Sequence, residues 1–257
     1  MKLRINNKLI PGSNSIFIDG DKNGILFLHG IASSPQEFKQ IIQSFEAKGF
    51  YLSAPLMKGH GTNPEDLNST TWQEWSSNIK TELFELRKKC ERIIIVGQSS
   101  GASLALHIAA HYQVEALILF APGLSLSQKK IFRLLKTRSL LKYPLIKDPS
   151  MIHNFIGYDK IPAKAIGQLK KLFNHLKDDL VDIHCPVLLF HAFEDDFFDY
   201  LGAQYIYNSI SSKSKQFLTL NNSNHILSMD SERETILKET RRFVDKIFNE
   251  ATARKGA

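Results

Sequence analysis

Ile25–Leu28, Ile93–Val96, Ala116–Phe120 and Val187–Phe190 are unbroken apolar runs, and amphipathic stretches separate most of them. A strand with one wet face alternates apolar and polar residues; a strand covered on both faces does not. These runs therefore predict buried, parallel strands. The stretches Pro35–Lys48, Trp72–Lys89, Ser100–Tyr112, Ala203–Ser211 and Glu232–Asn249 carry helical spacing. The first has Pro35 near its start and Gly49 just past its end, the placement each residue favours. Strand–helix alternation of this kind predicts an α/β fold, a mostly parallel sheet with helices on both faces.

The alternation breaks once. Residues 122–180 contain no clear buried strand, only basic, Leu-rich, helix-like sequence such as Lys129–Lys136. A structureless loop of that length inside a compact domain is implausible, so a small helical insertion is expected. The rest of the 257 residues then forms one domain, long enough to bury a large core without metal or disulfide help. Residues 251–257 read as a frayed tail. Two cysteines, Cys90 and Cys185, are too few for a disulfide framework and lie in no metal-ligand spacing. With neither a signal-peptide apolar run nor a membrane-spanning one, the expected location is the cytoplasm.

Gly97-Gln98-Ser99-Ser100-Gly101 is a G-x-S-x-G pattern. Alone it arises by chance in roughly one chain of this length in ten. Its context adds the weight: the strand Ile93–Val96 leads in and a small-residue helix leads out, the strand–turn–helix of a nucleophile elbow. Gly97 and Gly101 fit because neighbouring backbone leaves no room for a Cβ. Ser100 is the rival nucleophile, but Gln98 stands where its own pattern needs glycine. Ser99 is the expected nucleophile.

A serine hydroxyl needs a base, and the base needs an orienting acid. After such an elbow the partners follow in the order Asp or Glu, then His. His107 and His111 lie in the helix after the elbow, and His191 precedes every good acid. His225 sits in the polar turn Asn221–His225, between strand-like Gln216–Leu220 and the last helix, where the base belongs. The acid loop 192–199 offers Glu194, Asp195, Asp196 and Asp199. Asp195 ranks first, since the strand has ended there and the next helix has not begun. Asp196 ranks second, and capping of the helix near Tyr200 is the alternative for Asp196 and Asp199. The oxyanion hole is expected from the N–H of Ser100 and the N–H of Ile31, in the loop His29–Ser34. This chemistry requires no metal and no organic cofactor.

On these motifs the sequence resembles the α/β-hydrolase superfamily, and within it the bacterial carboxylesterase and monoacylglycerol lipase group. The likeness rests on His29-Gly30, on Ala54–Gly61, on the helix start Trp72–Trp75, on Gly97–Gly101, on the acid loop and on Asn224-His225. It runs from about residue 25 to 245. It implies the α/β-hydrolase fold, a small helical cap at 122–180, a Ser99–Asp195–His225 triad and an Ile31/Ser100 oxyanion hole. It further implies hydrolysis of short- to medium-chain carboxylic esters or monoacylglycerols. His60, in the Ala54–Gly61 segment, is expected to be structural. Two departures from the family pattern are Ser100, polar where an apolar residue is common, and Ala102 in place of a second glycine. A thioesterase or amidase on the same triad, or a non-catalytic receptor on the same fold, are the alternatives.

The net charge of +7 has one source. Residues 122–180 carry 12 Lys+Arg against 4 Asp, a net of +8, while the remainder has 21 basic and 22 acidic residues. A solvated cap surface and attraction to anionic lipid both fit a basic amphipathic helix. Nucleic acid is not an expected partner, because no binding module accompanies the charge. The expected partner is a small-molecule ester, and oligomeric state is not legible.

Overall fold

The computed structural model describes residues 8–127, 145–146 and 155–255, with residues 145–146 and 250–255 as backbone only. The chain runs through β1 (Ile16–Ile18), β2 (Asn23–Leu28), a 3-10 turn (Pro35–Phe38) leading into α1 (Lys39–Glu46), and β3 (Tyr51–Ala54). It continues with α2 (Pro64–Asn68), α3 (Trp72–Arg87), β4 (Arg92–Gln98), α4 (Ser100–His111) and β5 (Ala116–Phe120). A two-residue ladder pairs β6 (Leu145–Ile146) with β7 (Lys160–Ile161). After it come α5 (Ala163–Asp179), β8 (Val187–Ala192), α6 (Tyr200–Ser209), β9 (Lys215–Leu220) and α7 (Arg233–Lys255).

Seven strands form one sheet in the order β1-β3-β2-β4-β5-β8-β9. Only β1 is antiparallel to its neighbour; every other pairing is parallel. The chain winds outward from β2 to β3, then crosses back to β4 on the other side of β2. That reversal puts a crevice at the carboxyl ends of β2 and β4, the place where open α/β sheets hold their ligands.

The unbroken apolar runs are explained by two cores. Leu26, Leu28, Ile93 and Ile95 face one side, packed with α3, α4 and α5. Ile25, Phe27, Ile94 and Val96 face the other, against α1 and α7. Both sides of each strand are apolar because both are covered.

Helix boundaries follow local chemistry. Thr71 and Glu74 close a capping box on α3, and Gly49, at φ +75°, ends the region that Pro35 opens. The helix expected from Ala203 begins earlier, at Tyr200, because the Asp199 carboxylate accepts the Leu201 N–H. Residues 251–255, expected to fray, instead continue α7 as far as Lys255. Ala251, Ala253, Arg254 and Lys255 are strong helix formers, and the first breaker is Gly256.

Two strands of the main sheet escaped the sequence reading, as did the two-residue β6–β7 ladder inside 122–180, where only helix was expected. β1 is three residues long at a sheet edge, and β3 is a four-residue stretch that includes Ser53 and stops at Pro55. Both are too short for periodicity to register. Within 122–180, α5 buries Ala165, Ile166, Leu169, Leu172, Phe173 and Leu176 at helical spacing. The basic stretch Lys129–Lys136 lies outside the described residues. No helix among the described residues is long and apolar enough to cross a membrane.

Candidate active site

The strand β4 ends on Gln98, and α4 begins at Ser100, so Ser99 alone makes the turn. It does so at φ +59° and ψ −123°, a region a β-carbon ordinarily avoids. The tight turn depends on its two glycines. A Cβ at Gly101 would stand 2.0 Å from the Leu28 carbonyl oxygen, and one at Gly97 2.5 Å from the Ala102 Cα. Ala102 is itself fully buried, so its single methyl fits the place where a second glycine is common.

Ser99 Oγ lies 2.7 Å from His225 Nε2. His225 Nδ1 lies 2.8 Å from Asp195 Oδ2 and 3.0 Å from Oδ1. A carboxylate only accepts hydrogen bonds, so Nδ1 carries the ring proton and Nε2 offers its lone pair to the serine hydroxyl. Asp195 Oδ1 also accepts the N–H groups of Phe197 and Phe198, at 2.8 and 3.0 Å. Burial alone would raise the Asp195 carboxyl pKa. The charge and hydrogen bond of His225, with His191 and the Phe197 N–H, outweigh it and hold the group below the usual carboxylate range. Phe197 stacks on the His225 ring and Phe198 meets it edge-on, with centroids 4.8 and 5.0 Å away. The imidazole is thus fixed by one carboxylate and two rings.

Of the four carboxylates in the acid loop, Asp195 is the one brought to His225. Asp196 is half-buried, its backbone N–H donating to Asn224 Oδ1 and its carbonyl accepting the Ser127 hydroxyl. Asp199 caps α6, and Glu194 is exposed. His107 and His111 lie along α4, and His191 lies beneath the site, its Nε2 3.7 Å from Asp195 Oδ2.

Ser100 is the first residue of α4, and its N–H belongs to the turn whose amides have no acceptor within the helix. Gly30 brings the β2 loop against Ser99: a Cβ there would lie 3.2 Å from Ser99 Cβ. Ile31 follows, buried. His29 Nε2 accepts the Met57 N–H at 3.0 Å, while its Nδ1 donates to the Gly30 carbonyl at 2.9 Å. His60 packs among His29, Trp75 and Tyr158, in keeping with a structural part.

Two residues that the sequence reading passed over support this site. Glu37 is buried; one carboxylate oxygen accepts the Gly30 N–H at 2.8 Å and the other the Ser33 hydroxyl at 2.5 Å. Gln98 Nε2 donates to the His225 carbonyl at 2.9 Å. An acid among the apolar positions of Pro35–Lys48 was the available signal for Glu37. Gln98 occupies a freely variable position of its motif, and nothing there marks it.

The family described as serine aminopeptidase, S33, matches residues 20–232. The thermostable monoacylglycerol lipase of Bacillus sp. (strain H-257) is 27% identical over 248 residues, covering 93% of this chain and 96% of the relative. The carboxylesterase of Bacillus subtilis (strain 168) is 24% identical over 245 residues, covering 93% and 99%. Among solved structures, a metagenome-derived lipolytic enzyme superposes with a TM-score of 0.84 at 23% identity, over 93% of this chain and 100% of that one. The monoacylglycerol lipase of Paleococcus ferrophilus gives 0.76 at 17% identity, over 91% and 98%. These structural likenesses speak for the fold alone. With the family match spanning most of its length, the chain belongs to the serine aminopeptidase S33 family of α/β hydrolases, in company with the bacterial carboxylesterase and monoacylglycerol lipase it resembles nearly end to end.

Proposed function

We propose that this carboxylic ester hydrolase cleaves short- to medium-chain carboxylic esters, monoacylglycerols among them, through a Ser99–His225–Asp195 triad and an acyl-enzyme. The single observation that carries the reading is the pair of contacts on His225: 2.7 Å to Ser99 Oγ and 2.8 Å to Asp195 Oδ2. Ser99 Oγ attacks the ester carbonyl as His225 Nε2 takes its proton. The imidazolium then delivers that proton to the leaving alcohol. Water repeats the sequence on the acyl-enzyme and regenerates the serine. Asp195 keeps the tautomer and stabilises the cation. The N–H groups of Ile31 and Ser100 hold the oxyanion, each donor worth about 3–4 kcal/mol in the transition state.

The same reading makes the chain one hydrolase domain with a cap over residues 122–180, acting in the cytoplasm on a small ester. Attraction of the +8 cap to anionic lipid belongs to this proposal; its first basic cluster, Lys129, Lys130 and Arg133, lies outside the described residues. The relatives named for carboxylesters and monoacylglycerol support the substrate class.

The test is active-site labelling with a fluorophosphonate, together with a p-nitrophenyl ester series of increasing acyl length. Stoichiometric labelling of Ser99, lost in Ser99→Ala with turnover down by several orders of magnitude, is expected. Labelling elsewhere, or turnover retained in Ser99→Ala, removes Ser99 from the mechanism. Faster turnover of a p-nitroanilide amide or an acyl-CoA thioester than of any ester would overturn the substrate class while leaving the triad standing.

A further inference from the structure

A second cluster of chemistry-bearing side chains lies well away from Ser99. His107 and His111 are one turn apart on α4, and His175 and Asp179 are one turn apart on α5. That spacing puts each pair on a single helix face. The two faces meet. His107 Nδ1 is 2.7 Å from Asp179 Oδ2, and His111 Nε2 is 3.8 Å from Asp179 Oδ1. The His107 ring centroid lies 4.6 Å from that of His111 and 5.5 Å from that of His175. One ligand atom each from His107, His175 and Asp179 falls within 4.8 Å of the other two. At 1.5 Å of helix rise per residue, His107 stands about 12 Å along α4 from Ser99.

Two features of this cluster suit a metal ion. The first is the donor set: two or three imidazoles and one carboxylate are ligands of the zinc class. The second is orientation. His111 Nδ1 is 2.9 Å from the His107 carbonyl oxygen. A carbonyl only accepts, so His111 Nδ1 donates there, and Nε2 is the nitrogen turned toward the Asp179 carboxylate. A backbone carbonyl that fixes the far nitrogen is also how metal-binding histidines are held in one tautomer.

We propose that His107, His175 and Asp179, with His111 at the rim, form a binding site for a divalent transition metal of the zinc type that clamps α5 onto α4. Tetrahedral zinc keeps neighbouring donor atoms about 3.3 Å apart, given Zn–N bonds of about 2.0–2.1 Å. The ion takes the place of the hydrogen bond from His107 Nδ1 to Asp179, the ring proton moving to Nε2; that contact opens slightly and the other donors close in, movements within the reach of side-chain torsions. Asp179 is buried and His107 half-buried, whereas His175 and His111 are exposed, which gives the ion a path in from solvent. The consequence is structural: the metal ties α5, the C-terminal helix of the 122–180 segment, to the helix that follows Ser99. The site stands whether or not the proposed triad chemistry holds.

Trp72 supplies the reporter. Its ring lies 5.3 Å from His107 and 5.2 Å from His175, and Trp75 is the only other tryptophan. The full chain, stripped with a chelator, is titrated with Co2+ and then with Zn2+ at pH 7.5. Expected are saturable one-to-one quenching of tryptophan fluorescence, visible absorption of tetrahedral Co2+, and displacement of both signals by Zn2+. Near-saturating Zn2+ raises Tm by roughly 5–10 °C. His175→Ala removes an exposed side chain, and Asp179→Asn keeps an acceptor for His107; each weakens Zn2+ binding at least tenfold, while His184→Ala on the exposed turn after α5 leaves it unchanged. Absence of Co2+ absorption and of any Zn2+-dependent Tm shift in the unaltered chain overturns the proposal. So does binding that survives undiminished in both His175→Ala and Asp179→Asn, since the metal would then sit elsewhere.

Discussion

Gln98 Nε2 donates a hydrogen bond of 2.9 Å to the carbonyl oxygen of His225, and Gln98 Oε1 accepts the Ser228 N–H at 3.3 Å. The residue that precedes Ser99 therefore braces the loop that carries His225, across 127 positions of sequence. Both contacts are buried, so neither is exchanged for water without cost. Gln98→Leu keeps the volume and loses both bonds. It should lower kcat by roughly 10- to 100-fold with little change in KM, because a small displacement of His225 misaligns a proton transfer without touching substrate binding. Steady-state kinetics on a p-nitrophenyl ester check this; an unchanged kcat would mean that Asp195, the Asn224 contacts and the Phe197 and Phe198 rings suffice to hold the loop.

Glu37 performs the corresponding task for the other loop. Its carboxylate accepts the Gly30 N–H and the Ser33 hydroxyl, and so shapes the segment whose Gly30 lies against Ser99. Glu37→Ala strands two buried donors and should cost about 1–3 kcal/mol for each one left unsatisfied. Glu37→Gln retains a carbonyl acceptor for one of them and should recover part of the loss. Urea unfolding of the two variants beside the parent measures both effects; equal stability in Glu37→Ala would show the loop to be self-supporting.

The glycines divide into those the fold requires and one it does not. Gly101→Ala puts a methyl 2.0 Å from the Leu28 carbonyl oxygen, on backbone that cannot move without shifting β2 against β4. It should yield an unstable or insoluble chain. Gly167 sits within α5, and a Cβ there meets nothing within 4 Å. Gly167→Ala should raise stability by about 0.5–1 kcal/mol through helix propensity. Thermal denaturation separates the pair, and a destabilised Gly167→Ala would show that its half-buried position is tighter than its surroundings indicate.

The same contrast explains what the sequence could disclose. The elbow was legible because a tight turn leaves few residue types admissible at Gly97, Ser99 and Gly101. The acid loop was legible only to within a residue or two: Asp195 and Asp196 are chemically identical, and which one reaches His225 depends on where β8 ends and on the N–H groups of Phe197 and Phe198. β2, β4, β5 and β8 announced themselves because two cores cover them, whereas edge strand β1 lacks that pressure. Glu37 acts on Gly30 and Ser33 close by in sequence and left its one signal in the acid among apolar positions. Gln98 could not be assigned, since it acts on a loop 127 positions away that meets it only after folding. The pairing of His107 with Asp179 across 72 positions is silent in the sequence for the same reason.

His191 gives the protein a built-in acid sensitivity. The ring is fully buried at the end of β8, its Nδ1 donating to the Ala192 carbonyl at 3.0 Å. Its Nε2 has no hydrogen-bond partner among the described residues and lies 3.7 Å from Asp195 Oδ2, with Tyr200 edge-on at 5.7 Å. Burial pushes its pKa below the ordinary value, although the Asp195 charge pulls the other way. The folded state therefore binds a proton less readily than the unfolded chain does. Stability from this group is complete above the unfolded histidine pKa of about 6.5 and is lost as pH falls below it, by up to about 1.4 kcal/mol per pH unit. Asp195 acts in a separate window: its depressed carboxyl adds stability above about pH 4, lost at more acid pH. His191→Leu removes the first effect and only the smaller His191 share of the second, which His225 dominates, so its stability should be flatter than the parent's between pH 6.5 and 4.5. Urea unfolding midpoints across that range decide it, and parallel slopes in parent and variant would assign the acid loss to other groups, His107 first among them.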